Sequence, residues 1–311
     1  MKHLAVLGLG GVGGYLGGML AKHYEKNPDV TISFICRGDH LQQIKEHGLH
    51  VKTPSLDFVA KPNHATDKPE SIKPIDFLFC CTKTYGLESA LHSIKTCVHR
   101  NTIFIPLLNG VDSFEHIKKI FPDNPVWNAC IYIVSRKIAP GEIVVSGIEP
   151  KFFFGTDSKA IDALSTFHNL MHEAAIPSIY TIEIVKEMWE KFFFISPVAS
   201  LTSWLNQNIG EFRQHTNHVE TLRLLINELR SVADKLNIPV DANIVNIVLD
   251  RVFFLPPETT TSMHSDFINK NETELESLTG YVVHLAKKLQ LTLPNYERIY
   301  QDLLLRNHSS K

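Results

Sequence analysis

The chain has 311 residues, of which 44% are hydrophobic, so it is long enough to form two domains with apolar cores of their own. A formal net charge of −2 and an isoelectric point near 6.8 provide no basic field, so neither nucleic acid nor an anionic membrane is an expected partner. The five cysteines are odd in number and lack metal-ligand spacing, which favours reduced thiols in a cytoplasmic protein.

The first predicted element is a short buried strand at 4–7, followed by Gly8-Leu9-Gly10-Gly11-Val12-Gly13 and a helix that ends near residue 26. In this G-x-G-x-x-G pattern Gly8 permits a sharp turn, Gly10 lets a pyrophosphate approach the backbone, and Gly13 lets the helix lie close to the sheet. The pyrophosphate would then accept from free N–H groups at the helix N-terminus. A glycine turn that serves packing alone is the competing interpretation.

A signal peptide is a second alternative for the same stretch, because Lys2 and His3 precede an apolar run and then small residues. Seven glycines between residues 4 and 20 weaken a membrane-type helix. The most apolar later run, 188–205, carries Glu190 and Lys191 and is not expected to cross a bilayer. The sequence therefore favours the nucleotide-binding interpretation, with no membrane partner.

A second parallel strand is predicted at 31–36, and Arg37 and Gly38 follow it. An acidic residue at the end of this strand suits NAD, whereas an arginine nearby suits the 2′-phosphate of NADP. Arg37 therefore predicts NADPH/NADP+ as the cofactor, although Asp39 lies close by. An ordinary exposed arginine remains the simpler interpretation of Arg37 alone.

Two further strands are predicted at 76–81 and 102–108, with Lys83 and then Asn109-Gly110 just beyond their ends. Ligands of open α/β sheets bind outside the carboxyl ends of the strands, so these residues are candidates for a dinucleotide site. Asn109-Gly110 is equally compatible with simple turn chemistry. A helix is predicted from about residue 87. Another is predicted to begin at Asp112, with Glu115 at the spacing of a capping box.

The pattern changes at 126–154, where three β-rich runs separated by Pro140-Gly141 and Glu149-Pro150 predict antiparallel strands that extend the edge of the sheet. A helix at 159–174 and a strand at 179–181 follow. Later residues predict helices at 183–205, 208–214, 217–236, 240–251, 264–289 and 295–306. We therefore predict a Rossmann-type doubly wound α/β domain over 1–181 and an all-helical domain over 182–311.

Two other features of the sequence bear on function. The proline-bearing run at 255–262 (LPPETTTS) predicts a mobile connection between helices. His168 and His172 lie four residues apart on a predicted helix without an apparent third ligand, so a solvated helix face is expected there and no metal site.

The candidates for chemistry lie in the helical part. Lys191 is flanked by Trp189 and three phenylalanines, and burial lowers the pKa of an ammonium and makes it a usable proton donor. A lysine whose stem lies on apolar surface while its head reaches water is the simpler alternative. Glu274 resembles one of several solvated helix acids, and Ser262 precedes a helix start where it would serve as a cap.

Taken together, these motifs resemble the ketopantoate reductase (2-dehydropantoate 2-reductase) family over nearly the whole chain. The matching features, in order, are GLGGVG at 8–13, Arg37 after the second strand, Lys83 after DFLFCCT, the NG of Asn109, the WEK that ends in Lys191, the SMxxD that begins at Ser262, and the TE that ends in Glu274. The resemblance implies a C-terminal domain similar to that of 6-phosphogluconate dehydrogenases and an active site in the cleft between the domains.

The resemblance also implies a role for each matching residue. The turn formed by Gly8, Leu9, Gly10, Gly11, Val12 and Gly13 would hold the pyrophosphate, and Arg37 and Lys83 the adenosine end of NADPH. The implied catalytic residues are Lys191, Glu274 and Asn109. Lys191 would bind the substrate and protonate its ketone oxygen, Asn109 would lie near the nicotinamide and help to place Lys191, and Glu274 would bind cofactor and substrate. Ser262 would donate to the substrate carboxylate.

The chain departs from the family at three substrate-facing asparagines, where it has Ile195, Ala199 and Ile209. Each hydrogen bond that an apolar side chain fails to make costs about 1–3 kcal/mol. We expect NADPH-dependent reduction of a 2-oxo acid, with 2-dehydropantoate preferred and a more apolar 2-oxo acid as the alternative. A non-catalytic NADP(H)-binding protein of this fold and a different 6-phosphogluconate dehydrogenase-like enzyme also stay open, as does a homodimer.

Overall fold

The computed structural model describes residues 1–156 and 161–308. By their internal contacts these residues divide into two compact units, Met1–Leu108 with Asp112–Ile184, and Val185–Lys311 with Asn109–Val111. The first unit contains the β-strands, and the described residues of the second form helices joined by loops. The predicted α/β class with a C-terminal helical domain is confirmed.

The first unit contains an open parallel sheet of five strands: β1 (Lys2–Leu7), β2 (Val30–Ile35), β5 (His64–Thr66), β6 (Ile75–Cys80) and β7 (Val98–Pro106). Their order is β5-β2-β1-β6-β7, and every neighbouring pair is parallel. The helices are α1 (Gly11–Tyr24), α2 (Gly38–His47), α3 (Leu87–Ser93), α4 (Ser113–Ile120) and α5 (Ile161–Glu173).

Both faces of this sheet are covered, as the continuous apolar strands predict. In β1, Leu4 and Val6 pack into a core that includes residues of α1 and α5, whereas Ala5 and Leu7 pack into a second core with residues of α3. All four are fully or almost fully buried. Alternate side chains of one strand thus supply two cores, which is the doubly wound arrangement.

A second sheet contains β3 (Leu49–Lys52), β4 (Asp57–Ala60), β8 (Asn128–Ala139), β9 (Glu142–Gly155) and β10 (Ser178–Tyr180). Its order is β10-β9-β3-β4, with β8 paired antiparallel to β9. The prediction of antiparallel strands at 126–154 is confirmed, but the prediction that they extend the edge of the parallel sheet is wrong. β9 pairs instead with β3 and β10, and β3 and β4 were not predicted because each has only four residues.

Glu149 and Pro150 do not separate two strands, contrary to the prediction. β9 continues through them in a bulge, since Tyr132 pairs with Lys151 while Val134 pairs with Ser146. A bulge releases its residues from the ladder, so the missing N–H of proline costs no hydrogen bond there.

The second unit consists of α6 (Ile184–Leu205), α7 (Ile209–Phe212), α8 (Thr216–Lys235), α9 (Ile244–Phe254), α10 (Ser262–Ile268), α11 (Tyr281–Lys288) and α12 (Pro294–His308), with one π turn at Glu276–Gly280. The prediction of a single helix at 264–289 is wrong, because α10 ends at Ile268. Helical structure begins again only beyond Lys270, which has a positive φ of 55°. No helix interior accepts that conformation.

Three local predictions also need correction or delimitation. The capping box at Asp112 does not form; its backbone is helical and its Oδ2 lies 3.4 Å from Nε2 of His116. The connection at 255–262, predicted as mobile, is hydrogen-bonded to the start of α7, since Ile209 N donates to Thr259 O and Gly210 N to Pro257 O. The predicted start of a helix at 159 lies outside the described residues.

Within residues 1–156 and 161–308, none of the helices combines the length and hydrophobicity needed to cross a bilayer.

Candidate active site

The glycine turn between β1 and α1 requires glycine at three places for steric reasons, and one of them is Gly11, where a Cβ would lie 2.4 Å from the carbonyl oxygen of Ser135. Gly8 has a φ of +93°, and a Cβ there would lie 2.8 Å from the amide nitrogen of Thr82. A Cβ on Gly13 would lie 2.0 Å from the carbonyl oxygen of Gly8. The turn can therefore close only with glycine at these three positions.

Gly10 has a different environment. It is the N-cap of α1 with ordinary negative φ, and a Cβ built on it would meet nothing within 4 Å. Packing therefore does not explain this glycine, and the interpretation of the turn as packing alone fails at this position. The open space lies at the N-terminus of a 14-residue helix whose first turn has no acidic residue. Unpaired N–H groups and the helix dipole favour a phosphate there.

The sheet brings the ends of four strands into register. Leu7 of β1 pairs with Ile35 of β2 and with Cys80 of β6, and Cys80 pairs with Pro106 of β7. Gly8, Arg37 and Lys83 consequently follow aligned strand ends at one edge. β1 lies between β2 and β6, where the strand order reverses, and such a point binds ligands in open α/β sheets.

Thr82 supplies an independent indication of a ligand at this edge. Its Oγ1 is buried and has no hydrogen-bond partner among the residues that the structure describes. Thr82 adjoins the Gly8 turn through the close approach of its amide nitrogen. A buried hydroxyl without a partner is uncommon, and a polar ligand would satisfy it. The open Gly10 and the orphaned Thr82 hydroxyl together fit a dinucleotide.

Arg37 is exposed at the N-cap of α2, and Asp39 is exposed in the first turn of that helix. His40, which the sequence did not identify, is buried beside them. Its Nδ1 accepts from the backbone N–H of Gly141 at 2.8 Å, and burial, with a smaller contribution from Lys137, lowers its pKa. A neutral His40 therefore fastens α2 to the β8–β9 turn.

Lys191 lies on α6, a 22-residue helix that is buried on most sides. Trp189, Phe192 and Phe193 are at most 5% exposed, whereas Lys191 is half-buried. Lys191 takes part in further interactions within the protein. The lysine is therefore neither in the core nor fully in solvent.

Glu274 is 2% exposed, so the prediction of a solvated helix acid is wrong. Its Oε2 accepts from Nδ2 of Asn109 at 3.3 Å. Its backbone carbonyl accepts from the amide of Leu278 at 3.0 Å and from Oγ of Ser277 at 3.2 Å. The helix break after α10 places this carboxylate, which explains why a continuous helical pattern concealed it.

The π turn that follows Glu274 is fastened to α6. Ser196 Oγ donates to the carbonyl of Leu278 at 2.8 Å and therefore accepts from Tyr296 OH, also at 2.8 Å. One turn later, Ser200 Oγ lies 2.8 Å from Thr279 Oγ1. All of these groups are buried. The helix that carries Lys191 and the segment that begins at Glu274 are thus joined by satisfied hydroxyls, and π turns are frequent at functional sites.

Ser262 is exposed as the first residue of α10, and the cap of that helix is Thr261, whose Oγ1 accepts from His264 N. The prediction of Ser262 as the cap is wrong. His264 is buried, with Nδ1 2.5 Å from Thr260 Oγ1 and Nε2 3.1 Å from Asn206 Oδ1, and burial lowers its pKa. This histidine joins α10 to the end of α6.

The three departures from the family pattern differ in environment. Ala199 and Ile209 are each 1% exposed and belong to the helical core. Ile195 is half-buried and packs at the margin of that core. An effect on substrate choice therefore rests first on Ile195.

A parallel sheet with a glycine turn at its point of reversal, followed by a helical unit with a half-buried lysine and a buried carboxylate, defines a dinucleotide-dependent oxidoreductase. Residues 4–158 match the family Ketopantoate reductase PanE/ApbA, and residues 183–306 match Ketopantoate reductase PanE/ApbA C terminal. The chain belongs to the ketopantoate reductase family and is an NAD(P)-dependent oxidoreductase.

Individual relatives agree with this assignment. A Bacillus subtilis protein named Uncharacterized oxidoreductase YkpB is 28% identical over 306 residues, 97% of this chain and 98% of the relative. The structure of 2-dehydropantoate 2-reductase from Porphyromonas gingivalis W83 is 33% identical, covers 97% of this chain and 99% of its own, and superposes with a TM-score of 0.83. A D-mandelate dehydrogenase with NADH and anilino(oxo)acetate, 22% identical and covering 99% of both chains with a TM-score of 0.87, shares the fold.

Proposed function

We propose that the protein catalyses the NADPH-dependent reduction of a 2-oxo acid to the 2-hydroxy acid, with 2-dehydropantoate as the preferred substrate and pantoate, a precursor of coenzyme A, as the product. The observation that carries the proposal is the half-buried Lys191 among buried aromatic residues of α6, in a chain whose glycine turn is open at Gly10. Membership of the ketopantoate reductase family supports the substrate class.

The proposed cofactor site uses the aligned strand ends of the first unit. The turn from Gly8 to Gly13 holds the pyrophosphate on the N-terminus of α1, and Thr82 and Lys83 border it. Arg37 supplies a cation for the 2′-phosphate that distinguishes NADPH from NADH. The D-mandelate dehydrogenase structure contains NADH, so Arg37 is the feature of this chain on which the choice of NADPH depends.

When bound, NADPH supplies the hydride that reduces the keto carbon. Negative charge then develops on the keto oxygen, and the Lys191 ammonium both stabilises it and delivers the proton that completes the hydroxyl. Glu274, held by Asn109, orients groups of the cofactor and the substrate, and Ser262 donates to the substrate carboxylate. The products are the 2-hydroxy acid and NADP+. Lys191, left neutral, then takes up a proton from solvent.

A reductase of a more apolar 2-oxo acid is the second candidate, and Ile195 favours it. Ile195 follows Lys191 by one helical turn, so both side chains lie on the same face of α6. An isoleucine contributes apolar contact but leaves a substrate hydroxyl without a partner. Substrates with branched aliphatic or aromatic side chains avoid that cost, whereas 2-dehydropantoate carries a hydroxyl.

The test is a comparison of purified protein with NADPH and with NADH against a panel of 2-oxo acids that includes 2-dehydropantoate. Loss of the absorbance of reduced nicotinamide identifies the substrate and the cofactor. The highest kcat/KM with 2-dehydropantoate and NADPH supports the first proposal, and a preference for an apolar 2-oxo acid selects the second. Measurable NADPH binding without turnover of any acid would instead indicate a non-catalytic binder. A cytoplasmic homodimer is the accompanying proposal, which size determination in solution tests.

A further inference from the structure

Half-buried side chains lie along one side of α6 around Lys191. Met188, Lys191, Phe194 and Ile195 are half-buried, as is Glu190, whereas the intervening aromatic residues Trp189, Phe192 and Phe193 are at most 5% exposed. Positions 188, 191, 194 and 195 are separated by three or four residues and therefore share one face of the helix. We call these four residues the α6 stripe. Any ligand of Lys191 that reaches α6 contacts this stripe.

A second cation lies on the stripe. The guanidinium carbon of Arg251, on α9, is 4.3 Å from the centroid of the Phe194 ring. Phe194 is one turn beyond Lys191, so the two side chains are neighbours on the helix surface. A guanidinium stacked on an aromatic ring is held in place by its face, while the N–H donors at its edge remain suited to a carboxylate.

The chemistry of a 2-oxo acid matches this pair of cations. Its keto oxygen and its carboxylate are on adjacent carbons, and the two groups need different partners. The keto oxygen needs a proton donor in the transition state, whereas the carboxylate needs a permanent positive charge that gives up no proton. Lysine suits the first task, and arginine, with a pKa above the physiological range, suits the second.

We propose that Arg251 binds the carboxylate of the substrate and thereby orients its keto oxygen toward Lys191. The inference rests on the proposed function. It adds a binding partner for the negative charge of the substrate, at a residue that the family resemblance does not include. Arg251 also takes part in other interactions within the protein, and a guanidinium has five N–H donors. Phe194 and Ile195 are then left to contact the substrate side chain.

The assignment makes Arg251 a determinant of substrate charge. The test compares each substrate acid with its neutral amide, using wild type, Arg251→Gln and Arg251→Lys. Arg298→Gln is the matched control, because Arg298 of α12 is also stacked on an aromatic ring of α6, the indole of Trp204 at 5.0 Å, but more than three helical turns beyond Lys191. Thermal unfolding of each variant shows whether its fold is intact.

For the acid, Arg251→Gln is expected to raise KM by about 10- to 100-fold, the loss typical of a charge-assisted hydrogen bond, with much less change in kcat. Arg251→Lys is expected to recover part of the loss. The amide should be reduced equally by wild type and Arg251→Gln, and NADPH affinity and the Arg298→Gln kinetics should be unchanged. The assignment is overturned if the wild type reduces the acid and Arg251→Gln either keeps the wild-type KM or loses activity toward the acid and the amide equally. A wild type that reduces no 2-oxo acid overturns the proposed function itself, and the assignment with it.

Discussion

The amide of Asn109 donates to the carboxylate of Glu274 across 165 residues of sequence. Asn109 follows the last strand of the parallel sheet, and Glu274 opens the segment that leads into the π turn. The carboxylate is almost completely removed from water, and an amide N–H is among the donors that make such burial tolerable. Two short loops that belong to one compact unit are thus fixed to each other by a polar contact.

Substitution of Asn109 should reveal this dependence in the free energy of unfolding. Asn109→Ala is expected to lower it by about 1–3 kcal/mol, because a buried carboxylate loses a donor. Asn109→Asp should lower it further, since two carboxylates would then face each other. Urea denaturation at neutral pH measures both variants. Equal stabilities of the alanine and aspartate variants would show that the contact does not contribute.

Two glycines of the turn should respond in opposite ways to the same added methyl group. Gly10→Ala is expected to fold with an unchanged Tm and to lose at least about tenfold in NADPH affinity, because its Cβ would enter space that is open for phosphate. Gly13→Ala is expected to lose about 2–4 kcal/mol of stability, because its Cβ would collide with the carbonyl oxygen of Gly8. Calorimetry and cofactor titration separate the two effects. Unimpaired NADPH binding by Gly10→Ala would contradict the assignment of this turn.

Arg37 should determine the choice between the two nicotinamide cofactors. Arg37→Ala is expected to weaken NADPH by about tenfold or more and to leave NADH almost unchanged, because only NADPH carries the 2′-phosphate. Asp39→Ala serves as the control, since Asp39 is exposed on the same first turn of α2. Titration of both variants with both cofactors measures the effect. An equal loss of affinity for NADPH and NADH would show that Arg37 stabilises the loop and does not contact the 2′-phosphate.

The buried histidines predict a stability that falls in weakly acidic solution. Burial lowers the pKa of His3, His40 and His264 below the ordinary value of 6.5, so each stays neutral in the folded protein at a pH where the unfolded chain has taken up a proton. Their contribution is complete above pH 6.5 and is lost as the pH falls below it. His264→Gln should make the pH dependence of unfolding shallower between neutral and acidic pH. An unchanged slope would contradict a neutral, buried His264.

The sequence predicted the parallel sheet well because its evidence is local. Strands β1, β2, β6 and β7 are continuous apolar runs, and the glycine pattern follows the first of them directly. The order of the strands then follows from the doubly wound class. The second sheet was predicted only in part, because β3 and β4 have four residues each and the strand that joins β3 to this sheet, β9, lies about ninety residues further along the chain.

The candidate site was only partly predictable for a similar reason. Lys191 was conspicuous as a charge in an apolar run, but Glu274 resembled its acidic neighbours until the helix break removed it from solvent. His40 and Arg251 gave no sequence signal, because their significance lies in contacts with Gly141 and Phe194. Such contacts are made by tertiary structure and leave no periodicity in the chain.

The central claim is that Lys191 protonates the keto oxygen, and the turnover of Lys191→Ala with saturating NADPH and the preferred 2-oxo acid tests it most directly. Loss of a general acid is expected to lower kcat by about 10²- to 10⁴-fold, while the Kd for NADPH stays the same. Lys186→Ala, five residues earlier on α6, is the control and should retain wild-type kcat. A Lys191→Ala enzyme that turns over at the wild-type rate would contradict the claim.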